Sequence, residues 1–296
     1  MTTPTKKGPL IWRGLSLQEL DLAYDHSQYA PNFLDIIGRY TSNSELTRLR
    51  LGAPKKISYG KTSVETLDLY ACKNPRAPIH IYIHGGNWQQ GLAKDFAFLA
   101  ELFLNAGVHC IFPDFSSALQ TNGDISPLAE QVKQAVGWAY KNAHTFNGDP
   151  EKIFISGHSA GAHLAAVALT NNWSGNSDLP VNLIKGAVLC GGIYDLAPIR
   201  LSTHYAEFKF TNEIVETLSP QRQLQFLNTP LILAYGSLES PEFIRHSREF
   251  TAAIQQKNKP VELLIGQGYN HFDLIETLAN PYGILGKAAL KQMGLS

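Results

Sequence analysis

Short apolar runs recur along the chain: ETLDLYA (65–71), PIHIYIHG (78–85), HCIFPDF (109–115), KIFISGH (152–158), IKGAVLCGG (184–192), PLILAYG (230–236) and VELLIGQG (261–268). Most close on Gly, Pro or Asp, residues that turn a strand or withhold a ladder donor. Between them the apolar spacing widens to the helical period over 93–106, 126–146, 159–172, 240–257 and 283–293. The second of these helices opens at Ser126-Pro127, with proline at the first helical position and Glu130 in the opening turn. Strands that are apolar throughout are buried on both faces. Their alternation with helices predicts an α/β fold: a mostly parallel central sheet of about eight strands flanked by helices. Ligands of such sheets bind at the carboxyl ends of the strands.

Residues 1–56 precede this pattern. Ser16-Leu17-Gln18-Glu19 is a capping box and predicts a helix over 17–28, and a second helix is expected after Pro31. The chain therefore reads as one domain over 1–296, with an N-terminal helical segment (1–56) ahead of a catalytic core (57–296). The segment is expected either to lie over the strand ends as a partial lid, bringing Trp12, Tyr24 or Phe33 near the site, or to pack on the flank of the sheet.

Composition narrows the partners. The 296 residues carry 25 basic and 25 acidic side chains without a like-charged run, which argues against nucleic acid or an anionic membrane surface and for a small, neutral substrate. Cys72, Cys110 and Cys190 sit far apart in strand-like stretches and read as reduced, structural thiols. No run approaches the ~20 apolar residues of a membrane span, and MTTPTKKGPL has no apolar stretch behind its lysines. A cytoplasmic location is the expectation, and a homodimer is compatible with the sequence.

The chemistry starts at Gly157-His158-Ser159-Ala160-Gly161, a G-x-S-x-G placed after a strand and before a helix. The glycines allow a sharp turn, so the Ser159 hydroxyl projects from its tip. A serine hydroxyl is a weak nucleophile at neutral pH and needs a base, a group to orient that base, and donors for the oxyanion. In turns of this kind the acid and then the histidine follow the nucleophile along the chain. His271, in the GYNHFD loop after the last strand run, fits the base; the other histidines flank strands or fall on helix and loop faces. The acid belongs after the 230–236 strand, where Glu239 is the candidate, with Asp195 one strand earlier and Glu242 at a helix start as rivals. The oxyanion donors are expected in His84-Gly85-Gly86-Asn87-Trp88, at the amides of Gly86 and Asn87, and at Ala160, with Gly85 a further candidate. His84 is expected to brace this loop. Trp88 and His158 are assigned to substrate binding.

Together these motifs resemble the α/β-hydrolase superfamily and, within it, the kynurenine formamidase (arylformamidase) branch and its bacterial carboxylesterase relatives. The matching pieces are H-G-G-x-W at 84–88, G-H-S-A-G-A-H at 157–163, G-x-Y-D-L-x-P at 192–198, S-P-E-F at 240–243 and N-H-F-D at 270–273. The resemblance implies an α/β-hydrolase fold with Ser159 as nucleophile, His271 as base and the residue before Ser-Pro-Glu-Phe as acid. That residue is Glu239, where the family usually has aspartate, and the departure favours a broader esterase. Asn87 stands where an aromatic is common. The implied reaction is acyl transfer through an acyl-enzyme, on small esters or aryl formamides, with no cofactor and no metal. A short-chain carboxylesterase outside tryptophan catabolism and a non-catalytic ligand-binding relative are the alternative readings.

Overall fold

The computed structural model describes residues 8–173 and 179–295; MTTPTKK, part of the stretch read above for a secretion signal, lies outside the described residues. A hairpin of β1 (Leu10–Trp12) and β2 (Leu15–Ser16) leads into α1 (Leu17–Tyr24) and α2 (Phe33–Leu51). The strands β3 (Lys55–Ser58), β4 (Thr66–Tyr70), β5 (Ala77–Ile83), β6 (His109–Pro113), β7 (Gly148–His158), β8 (Ile184–Cys190), β9 (Leu231–Gly236) and β10 (Val261–Gly266) follow. They form one eight-stranded sheet of order β10-β9-β8-β7-β5-β6-β4-β3. From β10 to β6 every neighbouring pair is parallel; β4 is antiparallel to both β6 and β3. The connections carry α3 (Ala100–Asn105), α4 (Ser126–Asn142), α5 (Ala160–Leu169), α6 (Asn212–Thr217), α7 (Pro241–Gln256), α8 (Asp273–Glu276) and α9 (Ile284–Gln292).

The central strands are largely apolar because each side of the sheet meets its own core. Ile79, Ile81 and Ile83 of β5, Leu189 of β8 and Leu233 of β9 pack in one cluster, with Leu128 of α4 and Phe250 of α7. Tyr82, Val188, Cys190 and Ile232 point the other way, to Tyr40 of α2, Phe103 of α3 and Leu285 of α9. This is the period-2 alternation of a strand with both faces covered. All ten residues of α5 are buried, and all of them but His163 are apolar or small.

Several elements differ from the sequence expectation. Strand β3 begins at Lys55, inside the segment assigned to the N-terminal helices; as a lysine-bearing edge strand with one half-buried apolar residue it has no apolar run to betray it. The helix expected over 17–28 ends at Tyr24. Its capping box is present, but the Asp25 carboxylate accepts the Ser27 amide (3.0 Å) and starts a separate 3-10 turn, His26–Gln28. The 93–106 stretch is likewise split, into a 3-10 segment Ala93–Leu99 and α3.

The sheet order decides where a ligand can sit. After β5 the chain crosses to β6 on one side and returns to β7 on the other, so the carboxyl ends of β5 and β7 diverge at a topological switch point. The register pairs Ile83 with Gly157 and His158 with Cys190, which aligns the loops that follow β5, β7 and β8.

Candidate active site

The turn from β7 into α5 is tight, and the glycines of the motif are required by contact. A Cβ on Gly157 would lie 2.6 Å from the Gly161 carbonyl oxygen, and one on Gly161 would lie 2.1 Å from that of Ile83. Between them Ser159 is held at φ 56°, ψ −125°, a conformation that costs a residue with a side chain about 1–3 kcal/mol. Its amide donates to the Cys190 carbonyl (2.9 Å) and its carbonyl accepts from His163 (3.1 Å), so strand β8 and helix α5 hold the turn from both sides.

The loop after β5 approaches this turn directly. A Cβ on Gly85 would meet the His158 carbonyl oxygen at 2.8 Å and the Ser159 Cβ at 3.2 Å. Gly86, Asn87 and Trp88 all take positive φ (117°, 55° and 58°), and the Gly86 carbonyl accepts the amides of Gln89 and Gln90. Among the described residues, no backbone acceptor takes the amides of Gly86, Asn87 or Ala160. His84 braces the loop as expected: it is buried, stacks on Phe115 (4.3 Å, 7°), and its Nδ1–H donates to the Gly85 carbonyl (2.9 Å).

Of the three carboxylates weighed as the acid, Glu239 is the one that meets the histidine. His271 Nδ1–H donates to Glu239 Oε2 (2.8 Å), and the other oxygen, Oε1, accepts the Gly236 amide (2.8 Å). Asp195 is engaged by the Ala197 amide (3.0 Å) and Arg222 (3.1 Å), and Glu242 by Arg245 (2.7 Å) and the Tyr24 hydroxyl (3.1 Å). Gly191 makes room for the pair: a Cβ there would lie 2.9 Å from His271 Nδ1 and 3.1 Å from Glu239 Oε2. Because the Ser159 amide bonds to Cys190, next to Gly191, the serine turn and the Glu239–His271 pair share one wall. A hydrogen bond between Ser159 Oγ and His271 is not among those formed; such contacts commonly tighten only with substrate in place.

Burial governs the electrostatics. Glu239 and His271 are 4% and 3% exposed. Loss of solvent pushes the Glu239 carboxyl up to about 7, against the Gly236 amide and the nearby His158, and pushes His271 down to about 3. Both charged forms are disfavoured, so the imidazole is neutral at pH 7 and free to accept a proton at Nε2.

Two residues assigned to substrate binding do something else. Trp88 is 2% exposed and turned into the core, where its indole N–H donates to His163 Nδ1 (3.1 Å) while His163 Nε2–H donates to the Leu218 carbonyl (2.7 Å). It anchors the strained 86–88 loop to helix α5. His158 is also buried, and its Nε2–H donates to the His271 main-chain carbonyl (2.8 Å), tying the serine turn to the histidine loop. Both side chains face inward and fasten backbone segments rather than line open space.

The N-terminal segment also reaches the site, through a histidine that no sequence motif singles out. His26 stacks on His271 (4.1 Å between ring centres, 21° between planes). Of the three aromatics expected near the site, Phe33 packs on Phe272 (5.5 Å) and Tyr24 on Phe243 (6.0 Å), whereas Trp12 lies against the guanidinium of Arg245 instead.

Comparison with known proteins agrees with this architecture. Residues 67–282 match the BD-FAE family. Kynurenine formamidase of Danio rerio is 32% identical over 96% of this chain and 99% of its own length, and that of Salmo salar is 31% identical with the same coverage. An isoprenylcysteine α-carbonyl methylesterase of Arabidopsis thaliana is 27% identical over 82% of this chain and 60% of its own. Among solved structures, a protein of Silicibacter sp. TM1040 superposes with a TM-score of 0.78 at 25% identity, covering 90% of this chain and 97% of the other. An esterase of Thermogutta terrifontis solved with propionate superposes at 0.67 and 21% identity, covering 83% and 96%.

Proposed function

Because this chain belongs to the BD-FAE family of α/β-hydrolases, and its relatives are named formamidases and esterases, it is a serine hydrolase of formamide or ester type, and we propose that Ser159, His271 and Glu239 carry the reaction. The observation that carries the proposal is the buried 2.8 Å bond from His271 Nδ1 to Glu239 Oε2, on the wall against which Ser159 is held. In this reading Ser159 Oγ attacks the substrate carbonyl while His271 Nε2 takes its proton. The amides of Gly86, Asn87 and Ala160 receive the oxyanion, and the positive end of α5 adds to its stabilisation. His271 then returns the proton to the leaving group, leaving an acyl group on Ser159. Water, deprotonated by the same imidazole, releases the acid.

Ester and amide cleavage differ at the leaving group, since an alkoxide departs readily and an amine must first be protonated. An aryl amine bearing a formyl group is the easy end of the amide range, so aryl formamides and small esters are adjacent substrates. Kynurenine formamidase-like activity is the leading assignment, supported by relatives that align along nearly the whole chain, N-terminal segment included. A short-chain carboxylesterase is the second reading, favoured by Glu239 in place of the usual aspartate. The test is kcat/KM for N-formylkynurenine beside a series of short p-nitrophenyl esters, where a hundredfold preference selects one. A fluorophosphonate probe is expected to label the folded protein but not Ser159→Ala; a folded protein that stays unlabelled removes the enzymatic reading of this site and leaves ligand binding.

A further inference from the structure

Glu239 holds the His271 ring at a single atom, and one hydrogen bond leaves a planar ring free to tilt about its axis. Two other imidazoles limit that tilt. His158 lies 4.6 Å away at 43°, and His26 lies nearly parallel at 4.1 Å and 21°. His26 is itself wedged: Phe243 is 4.7 Å from it and Phe272 meets it edge-on at 5.3 Å, and the same two rings pack against His271 at 4.7 and 5.1 Å.

His26 arrives from the far end of the chain, ahead of the 67–282 stretch shared with the family, and the structure shows how it is held there. Helix α1 is clasped to the loop after β8 by Asp21, whose carboxylate accepts from Ser202 Oγ (2.7 Å), the Thr203 amide (2.8 Å) and Thr203 Oγ1 (2.6 Å). At the end of α1, Tyr24 is fixed by its hydroxyl to Glu242 (3.1 Å) and His246 (3.1 Å). Asp25 then breaks the helix, and the 3-10 turn it caps lays His26 on the imidazole. This N-terminal segment is bolted down at the middle of α1 by Asp21 and at its C-terminal end by Tyr24, as a fixed roof would be.

Resting on the assignment of His271 as base, we infer that His26 is a positioning residue: its ring holds the plane of the His271 imidazole so that Nε2 stays aimed at the reacting atoms. Burial and the neighbouring imidazoles hold His26 well below the usual histidine range, so it is neutral and does not oppose the imidazolium formed during turnover. A misaimed base slows the chemical step and leaves substrate binding largely intact.

The experiment compares His26→Ala, His26→Leu and His26→Phe with the parent on p-nitrophenyl acetate. His26→Ala and His26→Leu are expected to lose kcat by about tenfold or more with KM within about twofold, and His26→Phe, which restores a planar ring, to recover most of the rate. Leucine fills the volume without the plane, so it separates ring stacking from simple packing even where the alanine variant folds poorly. The inference is overturned if leucine is as active as phenylalanine, or if phenylalanine is as slow as alanine. Labelling by a fluorophosphonate separates this from the underlying assignment: an unlabelled parent removes the assignment itself, whereas a labelled parent with indifferent His26 variants removes only the role of His26.

Discussion

Replacing Glu239 by glutamine is expected to inactivate the protein and, at alkaline pH, to stabilise it. The side chains are equal in length, so Oε1 of glutamine still accepts the Gly236 amide. Its Nε2 only donates, however, and the atom it faces is His271 Nδ1, itself a donor. The imidazole answers by moving its proton to Nε2, the atom that must accept the Ser159 proton, and kcat falls by about 10⁴-fold, as when the orienting carboxylate of a serine protease is neutralised. Stability moves the other way. Folding raises the Glu239 carboxyl from its usual 4.5 to about 7 because the ionised form is buried. A group raised on folding contributes its stability below the unfolded value and loses it as pH rises through the folded one. The shift corresponds to about 3 kcal/mol of destabilisation carried by the parent above pH 7 and absent in the glutamine variant. The gap in stability should open between pH 4.5 and about 7 and stay constant beyond. At roughly 2 °C per kcal/mol for a chain of this size, melting by circular dichroism should show a variant several degrees more stable at pH 9 and nearly equal to the parent at pH 4.5. Asp195→Asn, bonded elsewhere, is the control and should keep its rate. A gap that does not change with pH, or a loss of rate in Asp195→Asn that Glu239→Gln lacks, would refute the argument.

The same buried pair sets the acid limb. As pH falls, the Glu239–His271 pair takes up a proton and the base-competent state is lost, so kcat/KM should drop tenfold per pH unit below a midpoint near 7 that belongs to the pair; a flat profile from pH 5 to 8 contradicts it. Trp88→Phe keeps the ring against Phe208 and Phe210 but strands His163 Nδ1 in the interior, with an expected cost of about 1–3 kcal/mol in urea unfolding. Because the 86–88 loop then loses its anchor to α5, kcat should fall more than KM rises; unchanged kinetics would show that the indole does not position the loop. His271→Ala should abolish turnover of p-nitrophenyl acetate with the far-ultraviolet spectrum intact, and residual turnover near the parent rate would exclude it as the base.

Much of this protein is legible in one dimension because the physics concerned is local. A strand buried on both faces is apolar at most positions, so β5, β8 and β9 announce themselves, and a serine at a strand-to-helix turn needs small neighbours within a few residues. What escaped is what those rules do not constrain. The edge strand β3 faces water and carries lysines, and the hairpin of β1 and β2 is too short for a pattern. Trp88 and His158 sit in motifs whose letters are visible but whose direction depends on which side of the backbone the core lies. Spacing leaves Glu239, Asp195 and Glu242 open; packing brings Glu239 to His271 and gives each of the other two a different partner.

The sequence alone determined the alternation of elements and the glycine-flanked turn that carries Ser159, since each rests on residues close together in the chain. Only the tertiary structure decided that Gly191 opens space for the Glu239–His271 pair and that His26 covers it. Those contacts join positions with no pattern between them. They exist because a parallel sheet brings the carboxyl ends of strands distant in sequence to one edge, where the loops they carry must share a single small volume.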